Sequence, residues 1–275
     1  MLCSLCGTRP ATTADGRCTV CAAFRRSRAG GLMPAPTGPP TRRSLRSPVG
    51  LGAAVCVLLG AVAVADVLAI GAGAHSRQLF SEGMADDFLT YDEAAGDRAD
   101  LLYRASGSLQ VLTLLATVVV FLVWFRRVRL NAEVFDPYAH SLRPGWALGG
   151  WFVPIAVLWL PHRVASGTWT ASSPGGSNRP PPPRGLLHAW WAALLCAQVF
   201  SRYADQAYSD AEEPDEVLTA FDQVMAADAL DILAAVLAIL FVRRLTAMQG
   251  ERAAQGPAPV APAIPAERAD WGRAH

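Results

Sequence analysis

The sequence predicts an all-α integral membrane protein with four transmembrane helices, and three observations carry that prediction. Apolar residues are concentrated in blocks near 49–73, 106–125, 186–200 and 226–242, close to the length of membrane-crossing helices. Arginine-rich and acidic segments alternate along the 275 residues, although the formal net charge is only +1. A fifth apolar block, 146–160, is too short and too rich in proline to be a simple span.

Two Cys-x-x-Cys pairs in residues 1–24 predict a small zinc ribbon before the membrane domain. Four thiolates close the coordination tetrahedron, so the predicted zinc ion is structural, and it would supply the folding energy of a segment too short to bury a core. The alternatives are disulfide bonds or a chance pair of motifs. The predicted ligands are Cys3, Cys6, Cys18 and Cys21.

Residues 25–48 form a proline-rich linker in which no acidic residue balances the arginines. Such a polybasic segment beside a span is attracted to anionic lipid headgroups and keeps the N-terminus in the cytoplasm. The alternative, nucleic-acid binding, is disfavoured because aromatic stacking partners are missing, and we expect no nucleic-acid partner. The arginines are Arg25, Arg26, Arg28, Arg42, Arg43 and Arg46.

The predicted membrane domain covers residues 49–245, with spans near 49–72, 106–125, 186–203 and 224–242. Residues 74–105 are predicted to be an external loop that contains a short amphipathic helix, and 246–275 a disordered tail rich in alanine and proline. In the first span, small residues recur every four positions and predict close helix packing. They are Gly52, Cys56 and Gly60, together with Ala61, Ala65 and Ala69.

The charges predict the orientation of the chain in the plasma membrane. Arginines follow the second span at 126–129 and the last span at 243–244, so these ends are expected inside. Residues 205–224 carry seven acidic and no basic side chains, so they are expected outside. The sequence therefore predicts a multi-pass protein with both termini in the cytoplasm.

The block 146–160 then begins and ends on the same side of the membrane. We expect it to dip in and return, or to lie along the inner interface, because a fifth span would put the acidic 205–224 segment inside. Gly149 and Gly150 would allow the turn, and Pro154 would begin the returning helix. The residues that characterise this segment are Trp146, Trp151, Pro154, Trp159 and Pro161.

Ionisable residues within the apolar blocks predict a polar cluster in the outer half of the bundle. Counting helical rise puts Asp66, Arg202 and Asp231 at similar heights, with Asp228 one turn away and Gln110 and Gln198 near the same level. We expect these groups to be buried together, with Asp66 and Arg202 as a pair. The alternative is that Arg202, Asp205 and Asp228 extend to the outer surface.

Three segments resemble a known family: FLVWFRRVRLN at 121–131, RPGWALGGWFVPIAVLWLPHRV at 143–164 and HAWW at 188–191. Together with the W-x-x-R-x-x-x-N pattern, they resemble the actinobacterial membrane proteins grouped as domain of unknown function 4328, over about residues 50–245. The family often has asparagine where Ala156 stands here. An N-terminal zinc ribbon is a frequent companion in such proteins, and the resemblance implies a topology but no activity.

Two functions follow from these features. The first is a non-enzymatic scaffold whose zinc ribbon and basic linker contact a cytosolic protein or the inner leaflet. The alternative is a small transporter or channel-like protein, acting as a homo-oligomer, that uses the Asp/Arg cluster. We expect no enzymatic activity, because no nucleophile, phosphate-loop or catalytic metal motif occurs in the membrane part. A cavity joining Asp66 to Trp151 would favour transport, and a tightly packed interior would favour the scaffold.

Overall fold

The computed structural model describes residues 45–85, 89, 92–136, 140, 142–174 and 182–255. The predicted zinc ribbon, most of the basic linker and the alanine- and proline-rich tail from residue 256 lie outside these residues. The predicted zinc ligands Cys3, Cys6, Cys18 and Cys21 are therefore outside the described part.

Four long helices and two short ones make up the described chain. The long helices are α1 (Val49–Ala85), α2 (Glu93–Phe135), α5 (Gly185–Asp210) and α6 (Pro214–Ala254). The short ones are α3 (Trp146–Gly149) and α4 (Leu160–Ala171), separated by a 3₁₀ turn at Ala156–Leu158. The described elements are all helical, which confirms the predicted fold class at that level.

Three helices, α1, α2 and α6, are long and apolar enough to cross a membrane. They have 37, 43 and 41 residues, well beyond the ~20 residues that a span requires. Their length and composition are those of a multi-pass membrane protein. The predicted fourth span lies in α5, a helix of 26 residues that is not among the three.

Residues 74–105, expected to be a loop with one short helix, are mostly helical, so the prediction of a loop was wrong. α1 continues to Ala85 and α2 begins at Glu93, where the Asp92 carboxylate caps the helix by accepting from the amides of Ala94 and Ala95. An ion pair of 2.7 Å between Arg77 and Asp222 ties the extension of α1 to α6.

The long helices follow the order α2, α1, α6, α5 across the bundle. α1 packs against both α2 and α6, and α5 packs against α6, whereas α2 and α5 have hardly any direct backbone contact. The acidic end of the bundle carries the α1–α2 and α5–α6 connections, and the basic end carries Arg126, Arg127, Arg243 and Arg244. This order leaves a cleft between α2 and α5.

Aromatic rings form the core near the basic end. The ring of Phe241 on α6 stacks on Trp190 of α5, with centroids 4.3 Å apart, and on Trp169 of α4 at 6.0 Å. All three residues are at most 2 % exposed. The helix α4 is held in the bundle because it buries Val164, Ala165 and Trp169.

Side-chain amides join four segments at the basic end. Asn131 donates to the carbonyl of Arg46 at 2.8 Å and to Oε1 of Gln249 at 3.1 Å, and it accepts from the amide of Arg46. Gln249 donates to the carbonyl of Val128 and to the hydroxyl of Ser172. Every polar atom of the two amides is paired, as a buried polar group in an apolar bundle requires.

The pattern W-x-x-R-x-x-x-N lies along one face of α2, since positions three and seven residues apart share a helix face. The indole of Trp124 donates to the Thr246 hydroxyl at 3.2 Å, and Arg127 donates to the carbonyl of Ser47 at 3.3 Å. Together with Asn131, these residues attach α2 to α6 and to the chain that precedes α1. The motif therefore has a structural role at the basic end.

The small residues of α1 differ in how closely they are packed. A methyl group added at Gly52 would lie 2.8 Å from Oγ1 of Thr246 and 3.4 Å from the Trp124 indole nitrogen. At Gly60 such a methyl group would have no atom within 4 Å. Ala65 and Ala69 are buried. Close helix approach is therefore a property of Gly52 and not of Gly60.

We predict that Gly52→Ala destabilises the protein and that Gly60→Ala does not. The methyl group at position 52 displaces Thr246 from its bond with Trp124 and should lower the free energy of unfolding by about 1–3 kcal/mol. Gly60→Ala should leave it unchanged or raise it by up to about 1 kcal/mol, since alanine favours the helix. Thermal unfolding of the purified protein in detergent measures both. Equal effects of the two substitutions would contradict the packing described at Gly52.

Candidate functional site

A cleft of about 450 Å³ runs inside the bundle between α2 and α5. All four long helices line it, and the turn at Trp151 and Phe152 closes it toward the basic end. Its walls are mostly apolar, but its end nearer the acidic loops is polar. The polar side chains that line it are Asp66, Gln110, Thr117, Gln198, Ser201, Asp205, Asp228 and Asp231.

At the polar end, one amide joins two carboxylates from different helices. Nε2 of Gln110 on α2 donates to Oδ1 of Asp66 on α1 at 3.0 Å and to Oδ1 of Asp228 on α6 at 2.8 Å. Asp66 is only 3 % exposed and Asp228 8 % exposed. Asp231, one helical turn from Asp228, accepts from the Ser201 hydroxyl at 3.3 Å. These bonds connect α1, α2, α5 and α6 at one level.

The second oxygen of Asp66 is left without a donor. Oδ2 of Asp66 is buried and has no hydrogen-bond partner among the described residues. A buried acceptor without a donor costs about 1–3 kcal/mol, so such a group marks either strain or a missing partner. Within the described part of the chain, no group of three or more His, Cys, Asp or Glu side chains is arranged to hold a metal ion.

Arg202 lies apart from this polar end. Its side chain is exposed on α5, and none of the hydrogen bonds or ion pairs described joins it to Asp66. Gln110, which the sequence places at the same level, contacts Asp66 instead. This role of Gln110 could have been predicted from the sequence, because an amide carries two donors and can join two carboxylates within an apolar block.

Aromatic rings form the opposite end of the cleft. The ring of Trp151 makes edge contacts with Phe121 at 5.6 Å, with Phe125 at 6.1 Å and with Trp191 at 5.9 Å. Phe121 also contacts Trp190 of α5 at 6.1 Å, so side chains join α2 and α5 where their backbones do not meet. The indole nitrogen of Trp151 has no partner among the described residues.

The segment 146–160 turns back on itself, and its returning helix does not begin at Pro154. The turn passes through Gly150, where a side chain does not fit: its first carbon would lie 2.9 Å from the Trp146 carbonyl oxygen. Ile155 follows Pro154 with φ of 63°, which breaks helical geometry. The helix begins later, at Leu160, with Pro161 in its first turn.

The remaining residues of the segment lie at its edges. Trp146 and Trp159 are 38 % and 51 % exposed, whereas Pro161 is buried. The carbonyl of Leu158 accepts from the indole of Trp191 at 3.1 Å, which ties the returning chain to α5. Trp151 and its neighbour Phe152 are the members of the segment that close the cleft.

Two histidines join the start of α4 to the first turn of α5. Nε2 of His162 and Nδ1 of His188 are 3.0 Å apart, a hydrogen bond that requires at least one neutral ring. Burial of the His162 ring, with smaller contributions from His188 and Arg184, lowers the pKa of His162. Protonation of this pair therefore works against the attachment of α4 to α5.

A second aromatic group lies toward the acidic end. The rings of Tyr103 on α2, Tyr208 on α5 and Phe221 on α6 are 5.6 to 6.3 Å apart. Aromatic contacts thus join α2 and α5 at two levels, and the cleft lies in the stretch of helix between those levels.

Comparison with known proteins identifies a family. Residues 89–247 match the family model described as Domain of unknown function (DUF4328). The matched region includes α2, α5, α6 as far as residue 247 and the turn at Trp151, but not α1. Searches of curated proteins and of solved structures gave no match to the chain.

We predict that Gln110→Ala destabilises the protein more than Gln198→Ala does. Removing the Gln110 amide leaves Asp66 and Asp228 without that donor, at a cost of about 1–3 kcal/mol for each buried group. Gln198 also lines the cleft but is exposed, so its loss should change the thermal midpoint little. Thermal unfolding in detergent at neutral pH compares them. Equal midpoints for the two variants would show that the Gln110 bonds contribute nothing to stability.

We predict that acid weakens the protein through His162. Because the pKa of His162 is lowered on folding, the unfolded chain binds the proton more readily. This contribution is favourable above about pH 6.5 and is lost as the pH falls below it. The thermal midpoint should fall less between neutral and mildly acidic pH in His162→Gln than in the unaltered protein. His75→Gln, on an exposed position of α1, is the control and should fall like the unaltered protein.

Proposed function

The chain belongs to the DUF4328 family, whose name assigns no activity, and we propose that it is a small transporter that binds its substrate in the cleft between α2 and α5. The proposal depends on one observation. A cleft of about 450 Å³ connects the carboxylate of Asp66 to the ring of Trp151 in a bundle with membrane-spanning helices. Intramembrane carboxylates that face a cavity are typical of substrate and ion pathways.

The alternative, a membrane scaffold, has no need for such a cleft. A scaffold would gain stability by filling the space with side chains, as the basic end does around Phe241. Here two carboxylates and an amide lie buried beside open space, at a cost in desolvation free energy. Binding and release of a substrate explain that cost, and they require no covalent chemistry, so we propose no enzymatic activity.

We propose that α5 is the fourth membrane-crossing helix. It contacts α6 from Trp190, which stacks on Phe241, to Tyr208, which contacts Phe221. The 18 residues between Trp190 and Tyr208 rise about 27 Å in a helix, close to the ~30 Å hydrocarbon core. α6 crosses the same distance in the opposite direction. Polar residues of α5 face the cleft, which explains why this helix lacks an apolar stretch like those of the other three.

The orientation is proposed from the charges at the two ends. The basic end, with the termini, faces the cytoplasm of the plasma membrane, and the acidic end faces outward. The segment 146–160 is then re-entrant from the cytoplasmic side, with Trp151 and Phe152 at the cleft. Its irregular backbone is tolerated at this depth because it is packed against protein and borders a cavity.

The zinc ribbon and basic linker remain proposals supported by cysteine spacing and arginine content. We propose that Cys3, Cys6, Cys18 and Cys21 bind one structural zinc ion and that the linker holds this ribbon against anionic lipid headgroups. In this arrangement the ribbon is a cytosolic accessory of the transporter, available to a protein partner. With four spans, we propose that the transporter works as a homo-oligomer.

Cysteine labelling tests the proposed cleft. In a background with Cys56 and Cys196 replaced by alanine, Thr117→Cys lies on the cleft and Val119→Cys on the exposed apolar face of α2. A membrane-impermeant cationic methanethiosulfonate applied to intact cells should modify position 117 and not position 119. Mass spectrometry of the purified protein measures the modified fraction. The expected difference is at least tenfold in rate, because only the cleft offers water at that depth.

A third position serves as the control for orientation. Glu212→Cys, between α5 and α6, should be modified rapidly from outside in every background. Modification at 212 without modification at 117 would contradict the proposed cleft. No modification at 212 would contradict the proposed orientation. Equal modification at 117 and 119 would show that the reagent does not report the cleft, and the proposed pathway would lose its support.

A further inference from the structure

The charge of the cleft has one sign. Asp66, Asp205, Asp228 and Asp231 line it, and none of the described residues that line it is basic. Arg202, the basic residue nearest in sequence, is on the exposed face of α5. Carboxylates gathered in a cavity with apolar walls and no fixed cation create a negative potential where they are ionised, which an anionic ligand would meet as repulsion and a cationic ligand as attraction.

At the same end of the cleft, one hydrogen-bond acceptor has no donor. Oδ1 of Asp66 accepts from Gln110, but Oδ2, in a residue 3 % exposed, has no partner in the described chain. This atom belongs to a cleft-lining residue, and a ligand that donates a hydrogen bond there would complete it. A charged N–H donor is the strongest candidate, since charge-assisted bonds are about twice as strong as neutral ones.

The other end of the cleft is apolar and aromatic. Phe121, Trp151 and Trp190 enclose it, and the side chains between the two ends are mainly apolar. Gln110 and Phe121 are separated by 11 residues of α2, which corresponds to about 16 Å along the helix. A ligand that fills the cleft must therefore carry an apolar body of roughly that length beyond its polar group.

We propose that the substrate is an amphipathic organic cation: a protonated amine that donates to Oδ2 of Asp66, with an apolar body extending along α2 to Trp151. The inference rests on the transporter function proposed above and names its substrate class. Asp228 and Asp231 add to the negative potential around the ammonium group. The rings of Phe121 and Trp190 contact the far end of the apolar body.

Binding to the full-length protein in lipid nanodiscs tests the inference. The probe is decylammonium with a bromine atom at the carbon farthest from nitrogen, which quenches tryptophan at contact distance. We expect saturable quenching that Trp151→Phe reduces by at least half, and at least tenfold weaker binding in Asp66→Asn. The matched control is Asp222→Asn, which removes a carboxylate that pairs with Arg77 outside the cleft. It should bind within twofold of the unaltered protein.

Competition with neutral and anionic chains separates charge from hydrophobicity. Unlabelled decylammonium should displace the probe, whereas decanol and decyl sulfate at equal concentration should not. Displacement by decanol as effective as by decylammonium would overturn the inference. Tight binding by Asp66→Asn would overturn it too. If Asp66→Asn does not fold, Leu114→Trp, which fills the cleft from α2, replaces it and should abolish saturable quenching.

Failure of the substrate inference can be distinguished from failure of the transporter proposal. If Thr117→Cys is labelled from outside but the ammonium probe does not bind, the cleft is a pathway for another substrate and only this inference fails. If position 117 is closed to water and no probe binds, the proposed function fails with it. Quenching unaffected by Trp151→Phe and Leu114→Trp would mean that the probe partitions into lipid, and the inference would be wrong.

Discussion

Polar groups inside an apolar helical bundle need partners within the protein, and the structure depends on how that requirement is met at two levels. Near the basic end, the amides of Asn131 and Gln249 pair every one of their polar atoms with neighbouring segments. In the other half of the bundle, Gln110 joins Asp66 and Asp228 but leaves one carboxylate oxygen unpaired. The fully paired network joins neighbouring segments of the bundle, and the network with the unpaired oxygen lines the cleft.

The cleft itself follows from the order of the helices. α1 and α6 are packed at the centre, so α2 and α5 lie on the flanks and meet through side chains. Phe121 contacts Trp190 at one level, and Tyr103 contacts Tyr208 at another, about 27 Å away along α2. Between these levels, alanines of α6 leave the space open. Larger residues at positions such as Ala227 and Ala234 would fill this space, so the small side chains at these positions keep the cavity open.

The fold class and the heights of the acidic residues could be predicted from the sequence, because apolar length and helical rise fix both. Rotation about the helix axis could not. Ser201 faces Asp231, and its neighbour Arg202 points about 100° away, out of the cleft. The ends of α1 and α2 were also missed: α1 continues beyond its apolar block, and there Arg77 pairs with Asp222 of α6. Such contacts depend on which helices are neighbours.

The family match divides the cleft in an informative way. Gln110, Asp228, Asp231 and the turn at Trp151 lie within residues 89–247, whereas Asp66 lies on α1, before the matched region. The matched motif in α2 explains how the basic end is joined, through Trp124, Arg127 and Asn131 to segments outside that motif. The matched region thus supplies three of the four long helices that line the cleft, and it also supplies the turn at Trp151. Asp66, the acceptor proposed to select a cation, lies on the fourth helix, α1, outside the matched region. The substrate class must therefore be established from the residues of this chain.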